Sequence, residues 1–170
     1  MHDFLEQVEA TGIATWVRES PSIFAYIFVL SCHAIGLATV AGLNVVVALR
    51  MLGAVKALPL APMRGLFPAM WAGFWLNVAS GMLLLMANAT GMLALPIFYF
   101  KMGFILLGAL NLRFLQKRIF TNEAMLATNT ADARARRHAW LAILFWGGAL
   151  VCGRLTAYPG LIFHVLGIGS

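Results

Sequence analysis

Four stretches of this chain are each about as long as a helix must be to cross a bilayer, roughly 20 apolar residues. They cover about residues 22–49, 67–89, 96–115 and 138–158. Hydrocarbon offers no water to the backbone, so segments of this kind satisfy their peptide groups internally, as helices. The expected fold is therefore all-α, an integral membrane four-helix bundle forming a single transmembrane domain over residues 1–170. Composition agrees, since a chain 62% hydrophobic and 11% charged has too little polar surface to clothe a soluble core. Pro59, Pro62 and Pro68 punctuate the first linker, Gly91 and Pro96 the second, and a polar stretch from Thr121 to Arg137 precedes the last span. No internal repeat or low-complexity tract interrupts this plan.

Ahead of the first span, Phe4, Leu5, Val8, Ile13, Trp16 and Val17 recur at helical spacing, opposite Asp3, Glu6, Glu9 and Arg18. This pattern predicts an amphipathic helix over about residues 3–18, lying on the membrane interface. Its acidic character excludes a cleaved signal peptide, whose first region is basic.

Sidedness follows from the basic residues. Arg50, Lys56 and Arg64 flank the first linker, and Arg113, Lys117, Arg118, Arg134, Arg136 and Arg137 flank the third, so nine of the twelve Lys and Arg fall on one side. Basic loops stay in the cytoplasm, which directs both termini to the opposite, periplasmic side. The high pI is thus a topology signal. It is not a nucleic-acid footprint, although part of the third-linker cluster can touch anionic lipid heads.

The outer half of the bundle holds one imidazole and two cations: His33, Lys101 and Arg154. At about 1.5 Å per residue, His33 is expected roughly 16 Å below the outer end of the first helix, with Lys101 and Arg154 at similar depth above it. All six acids lie outside the apolar runs, so no carboxylate is evident as a partner. A cation in hydrocarbon costs at least about 2.5 kcal/mol, and the pair calls for an anion or a water-filled opening. Haem b answers this inventory. Imidazole is a normal axial ligand for its iron, and its two propionates want cations near the membrane surface. Asn88, Tyr99 and Tyr158 fall near the same level, and the small residues Ala34, Gly36 and Ala38 beside His33 would admit a flat macrocycle or close helix packing.

The same residues carry a structural interpretation. His33 could simply hydrogen-bond a neighbouring helix through Asn77 or Ser80, and Lys101 and Arg154 could snorkel to the interface. No second axial ligand is evident. His138 belongs at the opposite interface, while His164, in the apolar tail after Pro159, could fold back toward a bound iron or face solvent or lipid. Sulfur supplies a rival chemistry: Cys32 adjoins His33, Cys152 lies near Arg154, and Met82 and Met86 share a helix face. Imidazole with soft sulfur suits monovalent copper, though methionines commonly fill apolar cores. Nothing argues for a disulfide.

The segments "LSCHAIGLATVAGLNVVVALRMLG", "MWAGFWLNVASGMLLLMANAT", "FYFKMGFILLGALNLRF" and "GGALVCGRLTAY" resemble the helices of a bacterial family of small, uncharacterised integral membrane proteins. Their layout is similar to that of the copper-resistance D membrane proteins and, more distantly, of the J-type protoporphyrinogen oxidase. The resemblance implies a four-helix unit with a functional histidine on the first helix, at His33, and a lysine at the start of the third, at Lys101. The oxidase group is associated with haem. This chain departs from the family pattern at Ala48, where an aspartate usually precedes the closing arginine of the first helix, so Arg50 loses that partner. The chain is expected in the bacterial inner membrane, as a haem-b electron-transfer protein working with a partner protein and a quinone. A copper-handling protein, a porphyrinogen oxidase and a cofactor-free accessory subunit are the alternatives.

Overall fold

The computed structural model describes residues 2–20 and 25–158. Among these the chain is helical throughout, without strands: α1 (His2–Glu9), α2 (Gly12–Glu19), α3 (Tyr26–Leu52), a 3-10 turn (Ala61–Leu66) leading into α4 (Phe67–Ala87), α5 (Ala89–Leu93), α6 (Pro96–Phe114), α7 (Glu123–Thr128) and α8 (Ala133–Leu155). Four helical runs, Tyr26–Leu52, Ala61–Ala87, Pro96–Ile119 and Ala133–Leu155, are long and apolar enough to cross a membrane. They alternate in direction. One end of the bundle carries the start of α3 and the short helix α5, and the other carries the end of α3 and α7.

Two close helix pairs build the bundle. Gly36 of α3 faces Gly73 of α4 so tightly that a Cβ on Gly36 would come within 2.6 Å of the Asn77 backbone nitrogen and 2.8 Å of the Gly73 carbonyl oxygen. In the second pair, Trp146 of α8 covers Gly108 of α6, and Phe104 of α6 covers Gly148 of α8. Contact of α3 with α8 joins the pairs. Small residues at such crossings let backbones approach, which is how helices associate in lipid. Gly36 therefore serves the α3/α4 crossing, whereas Ala34, next to His33, is exposed at the α5 end.

Several boundaries differ from the sequence pattern for local reasons. The amphipathic segment breaks at Ala10 and Thr11 into α1 and α2. Val17 of α2 then packs with Val29, Leu84 and Ala87, across the ends of α3 and α4. Helix α8 starts at Ala133, five residues before His138, because the Asp132 side chain accepts the Ala135 N–H at 2.7 Å and caps it. The polar third linker holds a helix of its own, α7, capped by Asn122 and ended by Asn129 in the left-handed conformation (φ 55°).

Asn129 also closes the α7 end. Its side-chain oxygen accepts the Leu60 N–H at 2.8 Å, and its carbonyl accepts a hydrogen bond from Arg50 at 3.0 Å. Arg50, 4% exposed, donates a second bond to the Leu58 carbonyl. Backbone oxygens thus satisfy the Arg50 guanidinium, and Ala48 beside it offers no carboxylate.

Candidate functional site

At the α5 end the two helix pairs stand apart around a cavity of about 940 Å³. Its walls bring together His33 of α3, Lys101 of α6, Arg154 of α8 and Asn88 at the end of α4. Tyr158 lies outside this lining, but its hydroxyl accepts a hydrogen bond from Arg154 at 3.3 Å and its ring lies 5.5 Å from the guanidinium carbon. Tyr99 is turned away, its hydroxyl donating to the Leu93 carbonyl at 3.0 Å. His164 falls outside the described residues.

His33 stands seven residues inside α3, about 10 Å from its first residue at 1.5 Å per residue. That is shallower than the span pattern implies and close to the level of Lys101, five residues inside α6. The His33 ring is fixed from behind. Its Nδ1 lies 3.0 Å from the Asn77 carbonyl oxygen and 3.2 Å from Ser80 Oγ, and the Asn77 amide donates to the His33 carbonyl at 2.9 Å. Gly81 makes room for the ring, since a Cβ there would lie 3.0 Å from Cε1. The interhelical bond that could have been the whole role of His33 is therefore present. It also selects the tautomer with hydrogen on Nδ1, which leaves the Nε2 lone pair unprotonated, the arrangement typical of a ligating histidine.

Lys101 crosses to α8, where its Cε would lie 3.6 Å from a Cβ on Gly153, the residue before Arg154. It makes no hydrogen bond or ion pair with the described residues. Arg154 is exposed toward the cavity mouth.

Two charged residues at this site are invisible in the apolar pattern. Arg18 of α2 and Glu9 of α1 reach the same cavity. Every Lys and Arg outside the nine at the α7 end, namely Arg18, Lys101 and Arg154, thus lines one opening. Arg18 also pairs with Glu19 at 2.9 Å. The fold does bring a carboxylate to the cations, but Glu9 is committed elsewhere: it accepts the Thr90 N–H at 2.7 Å. That backbone hydrogen bond, with Thr90 and Arg18 beside it, holds the Glu9 carboxyl below its usual value. Periodicity hinted at neither contact, since each needs α1 and α2 folded back over the bundle.

A second, smaller cavity of about 150 Å³ lies between α4 and α6, and is lined in part by Val78, Met82, Met102 and Ile105. His33, Leu84, Met92 and Lys101 border both cavities. Three methionines, Met82, Met92 and Met102, line this slot with His33. Met86 does not, so the i, i+4 pair of Met82 and Met86 is not what meets the imidazole. Cys32 and Cys152 are free thiols on different helices and line neither cavity. Among the described residues no three His, Cys, Asp or Glu side chains converge on one point. His138, at the far end, has its Nδ1 2.6 Å from the Asn111 side-chain oxygen and stacks on Phe114 at 4.1 Å.

No protein-family model, curated protein or solved structure matches this chain.

Proposed function

We propose that this protein binds haem b in the larger cavity and passes electrons through it, with His33 as axial ligand and Lys101 and Arg154 as partners of the propionates. The observation that carries the proposal is the meeting of an oriented imidazole with three cations around one cavity of about 940 Å³, near the upper end of the roughly 300–1,000 Å³ typical of small-molecule sites. The donor set suits the group: the Nδ1 contact with Asn77 leaves Nε2 of His33 unprotonated, with the Asn77 amide nitrogen, 3.5 Å away, to be displaced by iron, and two long cationic side chains line the same cavity from α6 and α8. Bound haem supplies a one-electron ferric/ferrous couple; the chain supplies ligand, orientation and charge. Asn77 holds the ring, and Lys101 gains the anionic partner that the described residues do not offer. The inner-membrane placement, with the basic α7 end in the cytoplasm and the cavity mouth toward the periplasm, belongs to this proposal. So do a membrane-soluble quinol as electron donor and a partner protein at the mouth as acceptor. The similarity of the helix motifs to the haem-associated oxidase group points the same way.

Monovalent copper is the second reading, favoured by the three thioethers and one imidazole around the smaller slot. Spectroscopy of the purified protein decides between them. Haem gives a Soret band with reducible alpha and beta bands, and His33→Ala is expected to lose it while the protein stays folded in the membrane. Stoichiometric copper without a Soret band would establish the second reading. Full haem retention in His33→Ala would remove His33 from the site. Absence of both leaves the accessory-subunit role, in which exposed apolar side chains such as Trp75 and Phe100 face partner helices.

A further inference from the structure

The slot between α4 and α6 has features that the haem cavity does not explain. It is almost wholly apolar, and at about 150 Å³ it matches the size of a dry protein cavity that accepts one benzene ring. Its rim methionines, Met82 and Met102, are 62% and 41% exposed on what is the lipid-facing side of the bundle. The close packing of the bundle runs from α3 to α4, α6 to α8 and α3 to α8, so α4 and α6 are not zipped together. The slot therefore opens sideways, toward acyl chains.

The polar lining comes from three residues, His33 of α3, Asn77 of α4 and Lys101 of α6. Of these, His33 and Asn77 are already bonded to each other, which leaves Lys101 as the group free to donate. An ammonium carries three donors, so one contact with an anion in the large cavity does not exhaust it. An acyl chain alone would fill the apolar part and leave the ammonium unanswered. A phospholipid headgroup is too large for a ring-sized space. What fits is a flat six-membered ring with an oxygen at its inner edge and an apolar tail running back to the bilayer.

We propose that the slot is the headgroup site of a single-ring, isoprenoid-type quinone, with Lys101 donating to one ring oxygen and the tail leaving between Met82 and Met102. The proposal rests on the electron-transfer reading for its biological sense, since it locates the membrane-soluble donor. His33, Leu84, Met92 and Lys101 form a wall common to slot and cavity, so the ring sits one layer of side chains from the haem position.

The test uses the full chain in lipid nanodiscs and an aryl-azide analogue of a benzoquinone as photoprobe, with labelled residues mapped by mass spectrometry. Label is expected on Val78, Met82, Met102 and Ile105, and excess unlabelled benzoquinone should suppress it. Filling the slot by Ile105→Trp or, from the opposite wall, Val78→Phe should cut labelling about tenfold, corresponding to about 1.4 kcal/mol. Leu106→Trp, on the neighbouring exposed position, should leave it unchanged. Uncompeted label spread over exposed positions such as Leu106 and Val151 would overturn the slot assignment, as would labelling indifferent to both filling variants. Haem content read on the same samples separates the two proposals. A haem-free chain that still labels at the slot loses the haem assignment alone, and a haem-bearing chain without competed label loses the quinone site alone.

Discussion

At the α7 end, Phe67 meets Phe120 edge-on at 5.1 Å, and Leu112, Leu115 and Met70 are all no more than 2% exposed; at the α5 end the same four helices surround about 940 Å³ of open space. Each end also holds a cation within the helical bundle, and the two are treated differently. Arg50 spends its guanidinium on the carbonyls of Leu58 and Asn129. Lys101 has no such partner among the described residues and faces a cavity instead. Desolvating a charge without compensation costs stability, so among the described residues one cation is satisfied by the fold and the other faces the cavity where the proposed anionic ligand would sit.

The largest expected effects test whether the two ends differ in packing. Leu112→Ala, in the solid end, should destabilise by about 2–5 kcal/mol, the range for deleting a buried leucine. Leu30→Ala, on the cavity wall and 43% exposed, should cost no more than about 0.5 kcal/mol. Reversible unfolding in mixed micelles measures both. Equal losses would mean that the α5 end is packed in the membrane and that the opening is not a binding space.

Charge gives the next contrast, with opposite signs. Arg50→Met strands the carbonyls of Leu58 and Asn129, and hydrogen bonds to a charged group are worth about 1.5–3 kcal/mol each. Lys101→Met removes a charge with no bonded partner, so the ligand-free protein should become as stable as wild type or more so. The same unfolding assay reads the pair. A loss at Lys101 matching that at Arg50 would show that Lys101 is already satisfied and would dissolve the comparison.

How much of this was legible in the sequence divides along the same line. The four spans and the all-helical class followed from apolar length, because lipid leaves the backbone few choices. His33, Lys101 and Arg154 stood out because ionisable side chains are rare in such spans, and the fold brings them to one cavity. Arg18 and Glu9 could not be found that way. Both lie on an amphipathic segment where charge is unremarkable, and their position depends on Val17 docking against Val29 and Leu84. Asn129 was hidden for a related reason, since its bonds to Leu60 and Arg50 span 69 and 79 residues of chain. The slot lined by Met82, Met92 and Met102 takes its methionines from three helices, beyond any periodic pattern within one of them.

A functional contrast comes third. With haem bound, Lys101→Gln and Arg154→Gln each remove a positive charge near the propionates while keeping hydrogen-bonding capacity, and the reduced, more electron-rich state loses the more stabilisation. The midpoint potential should fall in both by a few tens of millivolts, against about 59 mV for a tenfold change in a one-electron equilibrium. Arg118→Gln, at the α7 end, should leave it unmoved. Unchanged potentials in both cavity variants would leave the haem proposal resting on His33 alone.

The smallest effect concerns what closes the hollow end. Glu9 reaches over from α1 to accept the Thr90 N–H at 2.7 Å, and this bond, with its neighbours, lowers the carboxyl below its ordinary 4.5. A depressed carboxyl stabilises the state in which it is bonded while it is ionised. The contact of α1 with α5 should therefore be at full strength above about pH 4.5 and should weaken as pH falls through the lowered value. The Thr90 amide resonance of labelled protein in nanodiscs should titrate below 4.5, and Glu9→Gln should abolish that titration while the resonances of α8 stay in place. A titration at or above the ordinary value would mean that Glu9 is not held by Thr90. A cation of the cavity would lower the carboxyl just as the Thr90 amide does, so such a titration would also exclude Glu9 as the counter-ion of Arg154 or Lys101.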